Sequence, residues 1–286
     1  MGLERAVIAL ASALPRGGHS LAKLLRPVVP GLRHCPAKLK SSSMTLHGDV
    51  GLNVFYPLAI HGYYTHQTVE DDVIAWVARD ARVIADVGGN IGYITALMAT
   101  AAPNAKIVAF EPLPLCQPYL AQVAAHYPGV SIVAKAVGAE PGTAEFSLRP
   151  QVDRSSFSGS GDTNAELLQV TVTTLDIEMA GQDVDLIKID VEGFEDVVLA
   201  GAHDTVARCR PFVVFEAYEL DVLRRVLAFF EGVGGDYAIY RIAENGALRL
   251  LADHERQDDE TCNFVAWPPH RPLPEGLRVP ASYPRP

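Results

Sequence analysis

The run Val83-Ile84-Ala85-Asp86-Val87-Gly88-Gly89-Asn90-Ile91-Gly92 constrains this chain more than any other stretch, because a short apolar strand breaks there into a turn with three glycines. Strand, turn and the helix-compatible segment Ile91 to Thr100 form the opening unit of an open α/β sheet that binds a nucleotide-like ligand. Gly88, Gly89 and Gly92 carry no Cβ, so the backbone can turn sharply and approach a ligand closely. A second apolar strand, Lys106 to Phe110, leads into Glu111, nineteen residues after Gly92, and then Pro112. A carboxylate at that strand tip is placed to grip a ribose diol, so the pattern predicts an adenosine-containing cofactor.

Charge narrows the choice. Neither frame of the turn completes Gly-x-Gly-x-x-Gly: one gives Gly88, Asn90 and Tyr93, the other Val87, Gly89 and Gly92. Asp86 enters the turn as a carboxylate, which repels a pyrophosphate at such range. S-adenosylmethionine carries no phosphate but an ammonium and a sulfonium, so the same residue attracts it. The turn favours that ligand over a nicotinamide dinucleotide, with a purely structural glycine turn as a third reading.

The 286 residues, 49% of them hydrophobic, suffice for one large domain with modest additions. A formal charge of -10 argues against nucleic acid as a partner, since phosphate binding needs clustered Lys and Arg. Cys35, Cys116, Cys209 and Cys262 form no Cys-x-x-Cys pair, which fits reduced thiols in a cytoplasmic protein. The first forty residues differ from the rest: Arg5, Arg16, Lys23, Arg26, Arg33, Lys38 and Lys40 face a single carboxylate, Glu4. Leu3, Val7, Leu10 and Leu14 share one helical face there, in a run too short to span a bilayer and too weakly basic at its start for a signal peptide. A lid helix, a partner contact and a weak membrane-surface contact all fit that segment.

The organisation predicted is an amino-terminal appendage over 1–80, a cofactor-binding domain over 81–268 and a proline-rich extended or disordered tail over 269–286. Within the appendage, 44–60 alternates like a short hairpin and Val69 to Arg79 reads as a helix. Core strands fall at 83–87, 106–110, 131–135, 184–190 and 211–216, with helices at 92–101, 115–126, 194–207 and 219–231. Regular alternation of that kind makes a doubly wound, mostly parallel sheet. Strands near 143–148 and 168–173 flank a Ser/Gly-rich insertion around Asp153 to Asp162, and 237–242 with 263–267 suits an edge hairpin.

A second constellation, Asp185-Leu186-Ile187-Lys188-Ile189-Asp190-Val191-Glu192-Gly193, sets carboxylates at the tip of the fourth core strand. Asp190 is expected to face the crevice of Asp86 and Glu111, while Glu192 and Glu195 fit helix capping equally well. Together with Asp86 to Gly92, Phe110-Glu111-Pro112, Thr174-Leu175-Asp176 and Val198 to Ala202, this run resembles the FkbM-type methyltransferases over roughly 83–217. Where that family commonly has Ala after the first turn glycine, this chain has Gly89. The resemblance implies a class I, Rossmann-like S-adenosylmethionine fold with a seven-stranded sheet and an antiparallel last strand. It also implies O-methylation of a hydroxyl on a sugar, glycolipid, polysaccharide or glycosylated natural product.

The expected cofactor-binding set is Asp86, Gly88, Gly89, Asn90, Gly92, Tyr93, Glu111, Pro112, Ala136 and Asp190. Asp190 and Glu216, each at a strand tip, are the candidate catalytic residues, because an alcohol acceptor needs a group to take its proton. Mg²⁺ held by Asp190 and Glu216 is an alternative way to acidify that hydroxyl. An NAD-linked oxidoreductase and a non-catalytic, methyltransferase-like binding module are the competing functions.

Overall fold

Helix and strand alternate along the chain as the hydrophobic pattern requires. The structure, a computed structural model, describes residues 2–14, 17–64, 68–148, 156–157, 166–234, 236–243, 245–251 and 262–277. Helices α1 (Leu3–Ala13) and α2 (Gly18–Leu25) precede a hairpin of β1 (Cys35–Lys38) and β2 (Thr45–Gly48), then α3 (Tyr56–His61). The central unit runs α4 (Thr68–Ala78), β3 (Val83–Val87), α5 (Tyr93–Ala101), β4 (Lys106–Phe110), α6 (Gln117–His126) and β5 (Val130–Val133). Four strands follow, β6 (Ala136–Val137), β7 (Gly142–Leu148), β8 (Ser156–Phe157) and β9 (Glu166–Thr173). The second half runs α7 (Leu175–Glu178), β10 (Leu186–Ile189), α8 (Glu195–Ala200), α9 (His203–Cys209), β11 (Phe212–Glu216) and α10 (Leu220–Gly232). It closes with β12 (Ala238–Ile242), β13 (Leu248–Leu250) and β14 (Asn263–Trp267).

The main sheet has the order β13-β12-β14-β11-β10-β3-β4-β5. Strands β11, β10, β3, β4 and β5 are parallel, and β14 is inserted antiparallel between β11 and β12. This is the α/β, mostly parallel open sheet expected, with the antiparallel last strand in place. Among the described residues the sheet has eight strands rather than seven, because β13 folds back on β12 at the edge. The chain order reverses between β3 and β10, the switch point beside which open α/β sheets form a ligand crevice.

Side chains of a strand alternate between the two faces, and here each face has its own core. Ala85, Val87, Ile187, Ile189, Val213 and Phe215 pack beneath α8, α9 and α10. Ile84, Ile107, Leu186 and Val214 pack beneath α4, α5, α6 and the amino-terminal segment. Period two then assigns Asp86, Glu111, Lys188 and Glu216 to this second face, at its strand tips. Register reinforces the placement, since Lys188 pairs directly with Asp86 on one side and Val214 on the other.

Several boundaries differ from expectation, each for a local reason. The hairpin lies at 35–48 rather than 44–60, because Pro57 opens α3 and Gly62 closes it in the left-handed conformation at φ 78°. The helix expected over 194–207 is two, since Gly201 packs so tightly that a Cβ would lie 2.0 Å from the Gly138 carbonyl oxygen. Strands β7 and β9 pair with each other and with β6 and β8 in a separate four-stranded sheet. The insertion Asp153 to Asp162 lies outside the described residues except for 156–157. The tail is not wholly extended: a short 3₁₀ turn forms at Glu275–Leu277, and Arg271 Nη2 donates to Asp185 Oδ1 at 2.7 Å. Thr174-Leu175-Asp176 has a structural task, because Thr174 Oγ1 caps α7 through Ile177 N at 3.2 Å and Asp176 Oδ1 caps α9 through Thr205 N at 2.7 Å.

Candidate active site

The glycine turn is built against the tip of β10. Gly88 N and Gly89 N both donate to the Phe110 carbonyl at 3.0 Å, and Asp190 N donates to Val87 O at 3.0 Å. Gly88 has φ 80°, and a Cβ on it would lie 1.9 Å from the Asp190 carbonyl oxygen. Packing of the chain on itself therefore demands glycine there before any ligand is considered. Gly92 is set the same way by Val123 of α6, whose side chain would stand 2.7 Å from a Cβ at that position. Gly89 is the exception, with ordinary contacts from 3.5 Å outward, so an alanine fits.

Glu111 closes the turn. Its Oε2 accepts from Asn90 N at 2.9 Å and its Oε1 from Leu113 N at 2.8 Å, which holds Asn90 at its positive φ of 47°. Burial pushes the Glu111 carboxyl up to about 7, against the pull of those two amides. Pro112 is half-buried beside it. Tyr93 is buried at the start of α5, donating from its hydroxyl to Asp71 Oδ2 at 2.5 Å and meeting Tyr64 edge-on. Ala136 is buried at the start of β6, in the second sheet.

Around the switch point the structure gathers Asp86, Lys188, Asp190 and Glu216 with Glu70 of α4. Asp86 is fully buried, and Thr95 Oγ1 donates to its Oδ2 at 2.5 Å while Oδ1 has no hydrogen-bond partner among the described residues. Burial raises its pKa, offset in part by Lys188. The Lys188 ammonium is buried and donates to Asp190 Oδ2 at 3.0 Å. Burial by itself would lower its pKa, but Asp190, Asp86 and Glu70 outweigh that and hold it above the ordinary lysine value. The ring is thus not purely acidic, as the sequence suggested; a cation stands inside it.

Glu216 is half-buried at the tip of β11. Burial, then the charge of Asp190, lifts its carboxyl to about 7, with the Tyr218 hydroxyl and Lys188 pulling it down. Glu70 is raised further, by burial first and then by Asp190. Glu195 takes the capping role: both its oxygens accept from Gly193 N at 3.1 Å, at the start of its own helix. Glu192 is exposed. Among the described residues no group of three or more His, Cys, Asp or Glu is placed to hold a metal ion. Lys188 already supplies the positive charge between Asp86 and Asp190, so the donor set does not support the Mg²⁺ alternative.

Sequence reasoning missed Glu70, Asp71, Lys188 and Tyr218. Lys188 carried a usable signal, being a lone cation inside the apolar run Leu186 to Ile189 of a central strand. Glu70 and Asp71 read as ordinary first-turn acids of a helix, and nothing local shows that the turn is buried against strand tips far along the chain.

The profile described as "Methyltransferase FkbM domain" matches residues 86–237. The methyltransferase sdnD of Sordaria araneosa is 26% identical over 189 residues, 54% of this chain and 73% of that protein. A crystal structure of the methyltransferase FkbM from Methylobacillus flagellatus KT is similar with a TM-score of 0.47 at 15% identity; the likeness covers 92% of this chain and 58% of that one. Fibrillarin of Aeropyrum pernix, solved with natively bound S-adenosyl-L-methionine, has a TM-score of 0.40 at 13% identity, over 66% of this chain and 67% of its own. With more than half its length matched by that profile, the glycine turn, Glu111 and the β10 tip included, this chain belongs to the FkbM methyltransferase family.

Proposed function

We propose that the protein is an S-adenosylmethionine-dependent O-methyltransferase acting on a hydroxyl of a sugar, glycolipid, polysaccharide or glycosylated natural product. The observation that carries this reading is the set Asp86, Glu111, Asp190 and Glu216 on one sheet face around the glycine turn, with Asp86 Oδ1 left without a hydrogen-bond partner among the described residues. These residues fit the cofactor. Glu111 and the turn from Gly88 to Gly92 would hold its ribose, and Asp86 and Asp190 would face its positive charge. S-adenosylmethionine supplies the methyl group on an electron-poor carbon.

The chain's own task is alignment of the acceptor oxygen and removal of its proton. Asp190 is engaged by the Lys188 ammonium at 3.0 Å, which suits it to positioning more than to taking a proton. Glu216, with its carboxyl at about 7, is half ionised near neutral pH and is the better base. An oriented base of this kind contributes roughly 10²- to 10⁴-fold, and orientation of the reactants about 7 to 11 kcal/mol.

The test incubates purified protein with methyl-labelled S-adenosylmethionine and a panel of sugars, glycolipids and glycosylated metabolites, with and without a chelator. The reading expects label in an acid- and base-stable methyl ether of one acceptor class, with no chelator effect. Label on nitrogen or carbon, or none despite cofactor binding, contradicts it.

A further inference from the structure

Five of the eleven large hydrophobic side chains left exposed among the described residues fall in the first 28: Leu3, Leu10, Leu14, Leu24 and Val28, at 63%, 55%, 40%, 74% and 71% exposure. Helix α1 packs inward through Val7 and Ala11. At about 100° per residue, Leu3, Leu10 and Leu14 fall within roughly 40° of one another, on a stripe beside the buried one. Exposed Ala6 and Ala13 extend it. Leu24 near the end of the neighbouring helix and Val28 in the turn that follows it are exposed as well.

The same stretch is the basic pole of an acidic chain. Over the first forty residues seven Lys and Arg face one carboxylate, whereas the whole chain has 24 basic residues against 34 acidic ones. Arg5, Arg33 and Lys38 are exposed and enter no ion pair among the described residues. Leucines alone would suit many partners; leucines on a segment of net positive charge select an anionic one. A second copy of the chain fits poorly, because an isologous contact would bring two basic poles together. Crossing a bilayer is excluded for these helices by length: α1 has 11 residues, and no helix among the described residues is long and apolar enough to span. Shallow insertion beside anionic headgroups needs only what is here, an apolar edge on a net basic segment, two weak signals that add.

We propose that α1, α2 and the turn after α2 dock this protein onto the surface of an anionic lipid bilayer, with Leu3, Leu10, Leu14, Leu24 and Val28 entering the headgroup boundary and the net positive charge of the first forty residues, unpaired Arg5, Arg33 and Lys38 included, drawing them to it. Val7 of α1 and Tyr93 beside the glycine turn belong to one continuous core, so docking also fixes the orientation of the catalytic face to the membrane.

Flotation of the full chain with vesicles tests this. Binding is expected to vesicles of phosphatidylcholine mixed with phosphatidylglycerol, not to phosphatidylcholine alone, and to weaken as salt rises. The pair Leu10→Ser and Leu24→Ser, and separately the pair Arg5→Glu and Arg33→Glu, should each lower partitioning by at least about tenfold. All four side chains are exposed, so unchanged thermal melts certify the fold. No flotation, flotation indifferent to anionic lipid or to both pairs, or a dimer in sedimentation that the leucine pair dissolves, overturns the proposal.

Discussion

Replacing Lys188 with methionine removes the buried cation from the site while keeping the volume of its stem. In the native chain the ammonium bonds Asp190 at 3.0 Å and stands beside Asp86 in direct parallel register. Its loss leaves Asp86, fully buried, and Asp190, one-third exposed, without their counter-charge. Breaking a buried pair from one side costs about 3–5 kcal/mol when the survivor stays ionised. The survivors can escape that cost by taking up protons. Each carboxylate that must be protonated to stay folded lowers stability by about 1.4 kcal/mol per pH unit between its unfolded value and its new folded one. Two pH units from 5 to 7 therefore account for about 3 kcal/mol per proton. Urea unfolding of wild type and Lys188→Met at pH 5 and pH 8 measures this: the deficit should be about 3–5 kcal/mol at pH 8 and shrink to about 1–2 kcal/mol at pH 5. A deficit independent of pH, or below about 1 kcal/mol at pH 8, refutes the claim that Lys188 neutralises the cluster.

Gly88→Ala should cost about 3 kcal/mol or more and abolish cofactor binding, from a positive φ and a Cβ 1.9 Å from a backbone oxygen, whereas Gly89→Ala should melt within about 1 kcal/mol of wild type or above it. Calorimetric melts and cofactor titration of the two variants separate them. In the wild type, Glu111, Glu195 and Glu216 sit at about 7 against an ordinary 4.5, and Glu70 and Asp86 are also raised. The folded chain thus holds more protons than the unfolded one between about pH 4.5 and 7, so stability is greatest near the acidic end and falls as pH rises through that window. His19 and His270, each lowered first by burial, oppose the trend within that window, and Glu178, lowered mainly by its bond to Lys135, opposes it below. A melting temperature that rises from pH 5 to pH 7.5 would speak against those assignments.

Most of the sheet was legible because apolar runs such as Val83–Val87 and Lys106–Phe110 are buried on both faces and bounded by turn residues, so their limits are written locally. The glycine turn and Glu111 were legible for the same reason, being contiguous with those strands. The extra strand β13 and the separate sheet of β6 to β9 were not, since strand partnership is set by distant chain segments. The site was half visible. Asp190 and Glu216 follow from the rule that crevices open at strand tips, but Glu70 reaches them from a helix whose sequence shows only a common run of first-turn acids. Lys188 was in view inside the run Asp185 to Gly193, yet its meaning depends on the register that sets it against Asp86.

The central claim, that Glu216 takes the acceptor's proton in a cleft built for a cationic cofactor, is tested most directly by single-turnover methyl transfer against pH for wild type and Glu216→Gln. The wild-type rate should climb about tenfold per pH unit up to a bend near 7 and then level. Glu216→Gln should lose roughly 10²- to 10⁴-fold and the bend with it, while S-adenosylmethionine affinity stays within about threefold. A variant that keeps both the rate and the bend contradicts the account.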